Sequence, residues 1–193
     1  HAWENIRGRE ISMVFQEPMS ALNPIMSCGN QLLEVILQHR KISKAQAYDI
    51  ALEWLSKVQI PDPQAAYKKF PHELSGGQKQ RIMIAMALCN APKILIADEP
   101  TTALDVLVQK DIIQLMKSLT IESQTSVIFI SHDLALAKLI ADDIIVLEKG
   151  KITDNQDLIN FKYSNDIKHP LSELSRDVLN LDQVNVIYPA KPK

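Results

Sequence analysis

The sequence predicts an α/β protein in which helices cover both faces of a parallel β-sheet. After residue 75, short apolar segments alternate with segments of helical spacing. The apolar segments are continuous rather than alternating, as expected for strands that are buried on both faces. A chain of 193 residues is long enough for one sizeable core. No apolar run reaches the roughly 18 residues that a membrane-spanning helix needs.

The first 73 residues read as one strand followed by helices. The strand covers Ile11–Phe15, and a first helix is indicated by the spacing of Leu32, Leu33, Ile36 and Leu37. A second helix begins after Ser43, which is a good N-cap residue, and the run Pro61-Asp62-Pro63 ends it. We therefore predict that residues 17–73 are all helix and loop.

The remaining elements follow in an alternating order. The glycine-containing run Leu74–Gln78 opens a helix. After it we predict a strand at Ile94–Ala97, a helix over about 105–119, a strand at Val127–Ile130, a helix over about 133–141 and a strand at Ile144–Leu147. A turn at 148–151 leads into a short strand, and the alternation of Val184, Val186 and Tyr188 predicts one more.

Charge and cysteine content exclude some classes of protein. The net charge of −2 gives no sign of a basic nucleic-acid surface. Cys28 and Cys89 form no CxxC pair, which is typical of buried small side chains in a reducing compartment.

Two adjacent carboxylates, Asp98 and Glu99, end the second predicted strand. Ligands of open α/β sheets bind beyond the carboxyl ends of the strands. One carboxylate there can hold Mg²⁺, and its neighbour can orient and deprotonate an attacking water. The alternative is an ordinary turn, since Asp-Glu-Pro is also good turn chemistry.

The run Leu74–Gln78 indicates a phosphate-binding helix N-terminus. Glycines allow close approach of the backbone, and the free N–H groups carry a partial positive charge. Ser75 adds a hydroxyl donor. An ordinary glycine-containing helix start is the alternative.

His132 and Gln16 follow two other predicted strands. A histidine at a strand end can donate to a phosphate oxygen, although a lone histidine there is more often structural. Gln16 can contact Mg²⁺ or water, and alone it indicates little.

Taken in order, these segments resemble an ATP-binding cassette (ABC) ATPase. The resemblance covers residues 7–152, where five motifs of the family occur in order. They are the Q-loop (Gln16), the signature (Leu74–Gln78), Walker B with the catalytic glutamate (Ile94–Asp98 with Glu99), the D-loop (Ala103–Asp105) and the switch histidine (His132). The resemblance implies a partial RecA-like P-loop NTPase core with an inserted all-helical subdomain.

The resemblance also implies site residues and cofactors. ATP and Mg²⁺ are the expected cofactors. Glu99 and His132 would be catalytic, Asp98 and Gln16 would hold Mg²⁺, and nucleotide would be contacted by Gln16, Ser75, Gly76, Gly77, Gln78 and Asp105. In the family, the signature residues act on the ATP of a partner cassette.

The segment Phe15–Pro24 is similar to the Q-loop of peptide and nickel importers, and Phe70–Glu73 and Lys168–Leu171 are similar to other segments of that type. The expected partners are a second cassette (in a homodimer, a heterodimer or the same chain), transmembrane permease subunits and, indirectly, an extracytoplasmic substrate-binding protein. No nucleic-acid partner is expected. The expected location is peripheral, on the cytoplasmic face of the cell membrane.

We expect five regions along the chain. They are the end of an N-terminal core part (1–16), a helical subdomain (17–73), the signature helix with the C-terminal part of the core (74–154), an extension or linker (155–177) and a tail (178–193). The tail resembles the opening strand of a second cassette, with Tyr188 stacking on adenine; a surface strand or a disordered tail is the alternative.

A P-loop, G-x-x-x-x-G-K-[ST], is missing from the sequence. Only Gly150 precedes a lysine, and Ile145 and Ile152 occupy positions that the motif reserves for Gly and Ser/Thr. We expect the P-loop upstream of His1, so that this stretch alone would be inactive and bind ATP weakly. The alternatives are a non-transport ABC ATPase, acting in DNA repair, chromosome structure or translation, and a non-catalytic remnant.

Overall fold

The computed structural model describes residues 3, 6–16, 21–102, 104–148, 151–152 and 183–188. Its helices are α1 (Cys28–His39), α2 (Lys44–Lys57), α3 (Pro63–Lys68), α4 (Gly76–Leu88), α5 (Val106–Glu122) and α6 (Leu134–Ile140). Its strands are β1 (Ile11–Val14), β2 (Ile94–Asp98), β3 (Ser126–Ser131), β4 (Asp143–Glu148), β5 (Lys151–Ile152) and β6 (Gln183–Tyr188).

The six strands form one sheet in the order β1-β2-β3-β6-β4-β5. β1, β2 and β3 pair in parallel, with Ile11 opposite Ile94 and Ile94 opposite Ser126. The predicted α/β fold with a helix-covered parallel sheet is therefore confirmed. The two strands that follow turns or polar segments, β5 and β6, are antiparallel additions.

Two local features differ from the sequence prediction. β6 lies inside the sheet, antiparallel to both β3 and β4, whereas the alternation of its residues predicted only that a strand exists. A short helix, α3, begins at Pro63, whereas the run Pro61-Asp62-Pro63 predicted only the end of the preceding helix. Its first helical residue is a proline, a position that needs no N–H donor, and the Asp62 carboxylate accepts from the Ala65 N–H at 3.0 Å.

The helices α1–α3 form a layer whose ends are set by side chains. The Ser43 hydroxyl accepts from the Gln46 N–H at 3.2 Å, while the Gln46 side-chain oxygen accepts from the Ser43 N–H at 3.0 Å. This reciprocal capping box confirms the predicted start of α2. The described part of residues 17–73 contains only helix, turn and loop, as predicted.

Helix α4 joins the helical layer to the sheet. It packs against α1 and α2 on one side and against β1 and α5 on the other. Most of its length is therefore buried, including Ile82, Ile84 and Leu88, which are fully enclosed. One continuous core runs through both layers, so the division at residues 73 and 74 stays a proposal about domains.

The described residues include no helix with the length and apolar character needed to span a bilayer. Cys28 and Cys89 are buried free thiols, as predicted. Burial raises the pKa of Cys28 to about 11 and that of Cys89 to about 12.

Gly29, in the first turn of α1, is required by packing. A Cβ atom there would lie 2.1 Å from Cγ of Tyr67 and 2.2 Å from Cδ2. The Tyr67 ring cannot easily retreat, because its hydroxyl donates to Asn30 Oδ1 at 3.1 Å and its face meets Tyr48 edge-on at 4.8 Å.

The two glycines at the start of α4 pack against α5. A Cβ atom on Gly77 would lie 3.0 Å from Cγ1 of Val108, and one on Gly76 would lie 3.4 Å from Cδ2 of Leu104. The first distance is tighter than ordinary contact and the second is ordinary contact. The Gly77 backbone therefore lies close to α5 of its own chain.

We predict that Gly29→Ala destabilises the protein. Alanine would favour a helix by about 1 kcal/mol, but forcing a methyl group into the Tyr67 ring costs about 1–3 kcal/mol. Urea unfolding should therefore give a lower free energy of unfolding. In a Tyr67→Ala background the same substitution should be neutral or stabilising, and a destabilisation of equal size there would contradict the packing explanation.

We predict that Gly77→Ala lowers the free energy of unfolding by about 1 kcal/mol, whereas Gly76→Ala has little effect. The difference arises because Val108 is stiff about χ1 and lies on the neighbouring helix. Replacing Val108 with alanine removes the contacting methyl, so Gly77→Ala should cost less in that background. Equal losses for both glycines in urea unfolding would rule out this role for Val108.

Candidate functional site

Three polar side chains from three strands meet at the carboxyl edge of the sheet. Gln16 follows β1, Glu99 directly follows β2 and His132 directly follows β3. Gln16 Nε2 donates to Glu99 Oε2 at 2.7 Å. His132 Nδ1 lies 2.9 Å from Glu99 Oε1, where its N–H tautomer donates to the carboxylate. Gln16 lies 83 positions from Glu99 in the chain and His132 lies 33 positions from it, yet all three side chains form one cluster around Glu99.

The backbone of Glu99 has a left-handed conformation with φ of +43°. Its N–H continues the sheet by donating to the Ile130 carbonyl at 2.9 Å, and the chain then turns at Pro100. Such a conformation costs a non-glycine residue about 1–3 kcal/mol and is concentrated at functional sites. The strain places the carboxylate beyond the strand end, within reach of both neighbouring strands.

Thr102 completes the cluster, and sequence reasoning did not identify it. Its hydroxyl donates to Glu99 Oε2 at 2.9 Å. Thr102 is three residues after Glu99, so the Asp-Glu-Pro turn brings it back to the carboxylate. That turn is the sequence signal for this contact, and it accompanies the functional site rather than replacing it.

These contacts hold the pKa of the Glu99 carboxyl below its usual range. The hydrogen bond from His132 is the largest cause, and bonds from Thr102 and Gln16 act in the same direction, while partial burial opposes them. Glu99 is therefore a carboxylate at neutral pH. A group in this state can accept a proton or orient a water molecule.

Asp98 is the last residue of β2 and is partly exposed beside this cluster. Among the residues that the structure describes, no group of three or more histidine, cysteine, aspartate or glutamate side chains is arranged to hold a metal ion. Mg²⁺ is usually held by one or two carboxylates together with water and substrate phosphates. The Asp98 carboxylate and the Gln16 amide oxygen, both near the carboxyl edge of the sheet, fit that mode of binding.

The signature run forms a second, separate feature. Ser75 caps α4: its hydroxyl accepts from the Gln78 N–H at 3.3 Å, and the Gln78 side-chain oxygen accepts from the Ser75 N–H at 3.1 Å. Because the Ser75 oxygen acts as an acceptor, its proton can be donated to a ligand. Gly76 and Gly77 form the first turn behind it.

Asp105 caps the neighbouring helix α5, where its carboxylate accepts from the Val108 N–H at 3.0 Å. The N-terminal ends of α4 and α5 are thus adjacent, through the Gly77–Val108 contact. The start of α5 is linked to the Glu99 cluster through the connecting loop, because Gln109 in its first turn donates to the carbonyl of Thr101, which precedes Thr102, at 3.0 Å. Residues 17–20 of the predicted Q-loop, Ala103 of the D-loop and the side chain of Tyr188 lie outside the description.

Comparison with known proteins places these features in a family. The sequence model of the ABC transporter family matches residues 2–102, which is more than half of the chain. The chain is 49% identical over 167 residues to the oligopeptide transport ATP-binding protein OppD of Bacillus subtilis (strain 168), covering 86% of this chain and 46% of the relative. It is 51% identical over 149 residues to the dipeptide transport ATP-binding protein DppD of the same organism, covering 77% and 44%.

Solved structures agree with the sequence relatives. A dimeric structure of the ATP-binding cassette MJ0796, in a post-hydrolysis state bound to ADP and Pi, superimposes with a TM-score of 0.64 at 31% identity. The match covers 75% of this chain and 61% of that one. The chain spans a little under half the length of OppD and DppD. With its partial RecA-like α/β core and its family match, the chain belongs to the ABC transporter family.

Proposed function

We propose that these residues belong to the ATP-binding and ATP-hydrolysing subunit of an ABC transporter that powers the uptake of peptides, or of nickel. The observation that carries the proposal is the convergence of Gln16, Glu99 and His132 at the carboxyl edge of the sheet. Similarity to OppD and DppD supports the choice of peptides as cargo.

Within this site Glu99 is the general base. Its carboxylate orients a water molecule and accepts the water's proton as the oxygen attacks the terminal phosphorus of ATP. The bond from that phosphorus to the bridging oxygen breaks, and ADP leaves with this oxygen. His132 holds one carboxylate oxygen at 2.9 Å and can donate to the developing phosphate charge after reorientation. Gln16 approaches from the opposite side of Glu99 through its amide nitrogen.

Asp98 and the Gln16 amide oxygen are the residues that would hold Mg²⁺. Gln16 already uses its nitrogen toward Glu99, so its oxygen is the atom left for a cation. When bound, the ion would neutralise charge on the phosphate oxygens. Asp98 next to Glu99 is consistent with this division of roles, because two adjacent carboxylates are less costly when a cation neutralises one of them.

The helix ends at Ser75–Gln78 and Asp105 act on the ATP of a second cassette. Support comes from the adjacency of the two capped helix ends and from the dimeric form of MJ0796. Backbone N–H groups at the start of α4, with the Ser75 hydroxyl, suit a phosphate. The second cassette can be an identical chain, a related chain or part of the same chain.

The permease subunits bind a groove between β1, α1 and α4. The groove has a volume of about 660 Å³ and is lined by Met13 and Phe15 of the sheet edge, by Glu34 of α1 and by Met83 of α4. Exposed methionine and aromatic side chains beside a charge suit an amphipathic helix of a partner. This arrangement would place the protein at the cytoplasmic face of the membrane, with the extracytoplasmic binding protein acting through the permease.

We predict that Glu99→Gln in the whole protein retains ATP binding and lowers the hydrolysis rate at least a hundredfold, in the range expected for loss of a general base. Glutamine keeps the hydrogen-bonding shape of Glu99 but cannot accept the proton. The measurements are equilibrium ATP binding and steady-state phosphate release. Glu53→Gln, on the exposed surface of α2, is the matched control. A wild-type rate in Glu99→Gln would remove Glu99 from this role.

We predict that Met13→Glu weakens co-purification of the whole protein with its permease by about tenfold while basal hydrolysis is unchanged. The substitution places a charge on the apolar wall of the groove, where Met13 is 37% exposed. Ile121→Glu, on α5 and outside the groove, is the control with 57% exposure. Equal permease recovery for both variants would move the docking site elsewhere.

A further inference from the structure

We propose that Thr102 is a positioning residue that holds the Glu99 carboxylate in place for water activation. The proposal rests on the proposed function of Glu99 and extends it to a residue outside the family motifs matched above. Thr102 acts through Glu99.

The two oxygens of Glu99 are held from different directions. Oε1 accepts a hydrogen bond from His132, which follows β3. Oε2 accepts hydrogen bonds from Gln16, which follows β1, and from the Thr102 hydroxyl. His132 and Gln16 both have a second proposed role, toward phosphate and Mg²⁺. Thr102 is the contact that belongs to the same turn as Glu99, so it can stay in place when the other two reorient.

The Thr102 hydroxyl has two acceptors within reach and one proton to donate. Glu99 Oε2 lies at 2.9 Å and the Glu99 carbonyl oxygen at 3.3 Å. The carboxylate is both nearer and charged, so it takes the stronger bond. The Thr102 N–H also donates to the Glu99 carbonyl at 3.3 Å, which closes the turn and fixes the hydroxyl opposite the carboxylate.

The loop that carries Thr102 is bound to α5. Thr101 is buried, and its carbonyl accepts from Gln109 Nε2 at 3.0 Å and from the Leu104 N–H at 3.0 Å. Gln109 also donates to the Leu104 carbonyl at 3.1 Å. Thr102 itself is β-branched and therefore restricted about χ1. Thr102 is exposed, so its hydroxyl is positioned by its restricted χ1 and by the bonds that hold the loop to α5, and not by burial.

The experiment compares Thr102→Val, which keeps the shape of the side chain and removes the hydroxyl, with Thr102→Ser, which keeps the hydroxyl. Both are made in the whole protein. We expect Thr102→Val to lower kcat by about tenfold to a hundredfold, the size associated with a misplaced catalytic group, with KM for ATP changed less than twofold. Thr102→Ser should retain kcat within about threefold, since its hydroxyl can make the same bond.

A control separates positioning from general loss of structure. Thr125→Val removes a buried hydroxyl that donates to the Pro92 carbonyl at 2.7 Å, in a different loop. It should lower the unfolding temperature without lowering kcat. A wild-type kcat in Thr102→Val, or equal losses in Thr102→Val and Thr102→Ser, would overturn the proposal.

A readout without hydrolysis keeps the two proposals distinguishable. With ¹³C-labelled glutamate, the side-chain carboxyl resonance of Glu99 should shift or broaden in Thr102→Val and not in Thr102→Ser. An unchanged resonance in Thr102→Val overturns the role of Thr102. Wild-type protein that hydrolyses no ATP, or a fully active Glu99→Gln, instead overturns the proposed function.

Discussion

The parallel pairing of β1, β2 and β3 is the constraint on which the candidate site depends. Because parallel strands end at the same edge, the residues that follow them meet in space although long segments of chain separate them. A shift of one residue in either pairing would turn the side chains to opposite faces of the sheet. The buried alternate residues of these strands, such as Val14, Leu95 and Phe129, oppose such a shift, so the core itself sets the geometry around Glu99.

Helix α4 links this sheet to the groove and to the signature run. Arg40, just after α1, bonds to the Cys89 carbonyl and donates to Asn90 Oδ1 at 3.3 Å, while Asn90 donates to the Val35 carbonyl at 3.2 Å. Near the middle of α4, Arg81 donates to the Val58 carbonyl at the end of α2 at 3.0 Å. Cations placed at helix C-termini are favourable. Helices α1 and α2 are therefore both bonded to α4, which lines the groove and whose first turn carries Gly76 and Gly77.

Sequence patterns were sufficient where a repeating signal exists. The start of α2 after Ser43 could be predicted from an N-cap residue followed by apolar residues at helical spacing. The strands could be predicted from continuous apolar runs. The position of β6 could not be predicted, because alternation indicates a strand but contains no information about its neighbours in the sheet.

Thr102 was missed for a related reason. A turn residue belongs to no repeating pattern, and its importance depends on where Glu99 points. In Ser75–Gln78 the spacing S-x-x-Q encodes the capping box that starts α4, in addition to the phosphate-binding helix start that the glycines predict.

The hydrogen bonds to Glu99 indicate how its activity would be controlled. A carboxylate offers about four lone-pair positions. Gln16 and Thr102 take two of them on Oε2, and His132 takes one on Oε1. The position left for a water molecule that is to lose its proton is therefore on Oε1, beside His132. The orientation of His132, a residue with a proposed role toward the nucleotide, decides how much room that water has. Arrival of the nucleotide would then both supply the phosphate and draw His132 away from the base, which links hydrolysis to a correctly bound substrate.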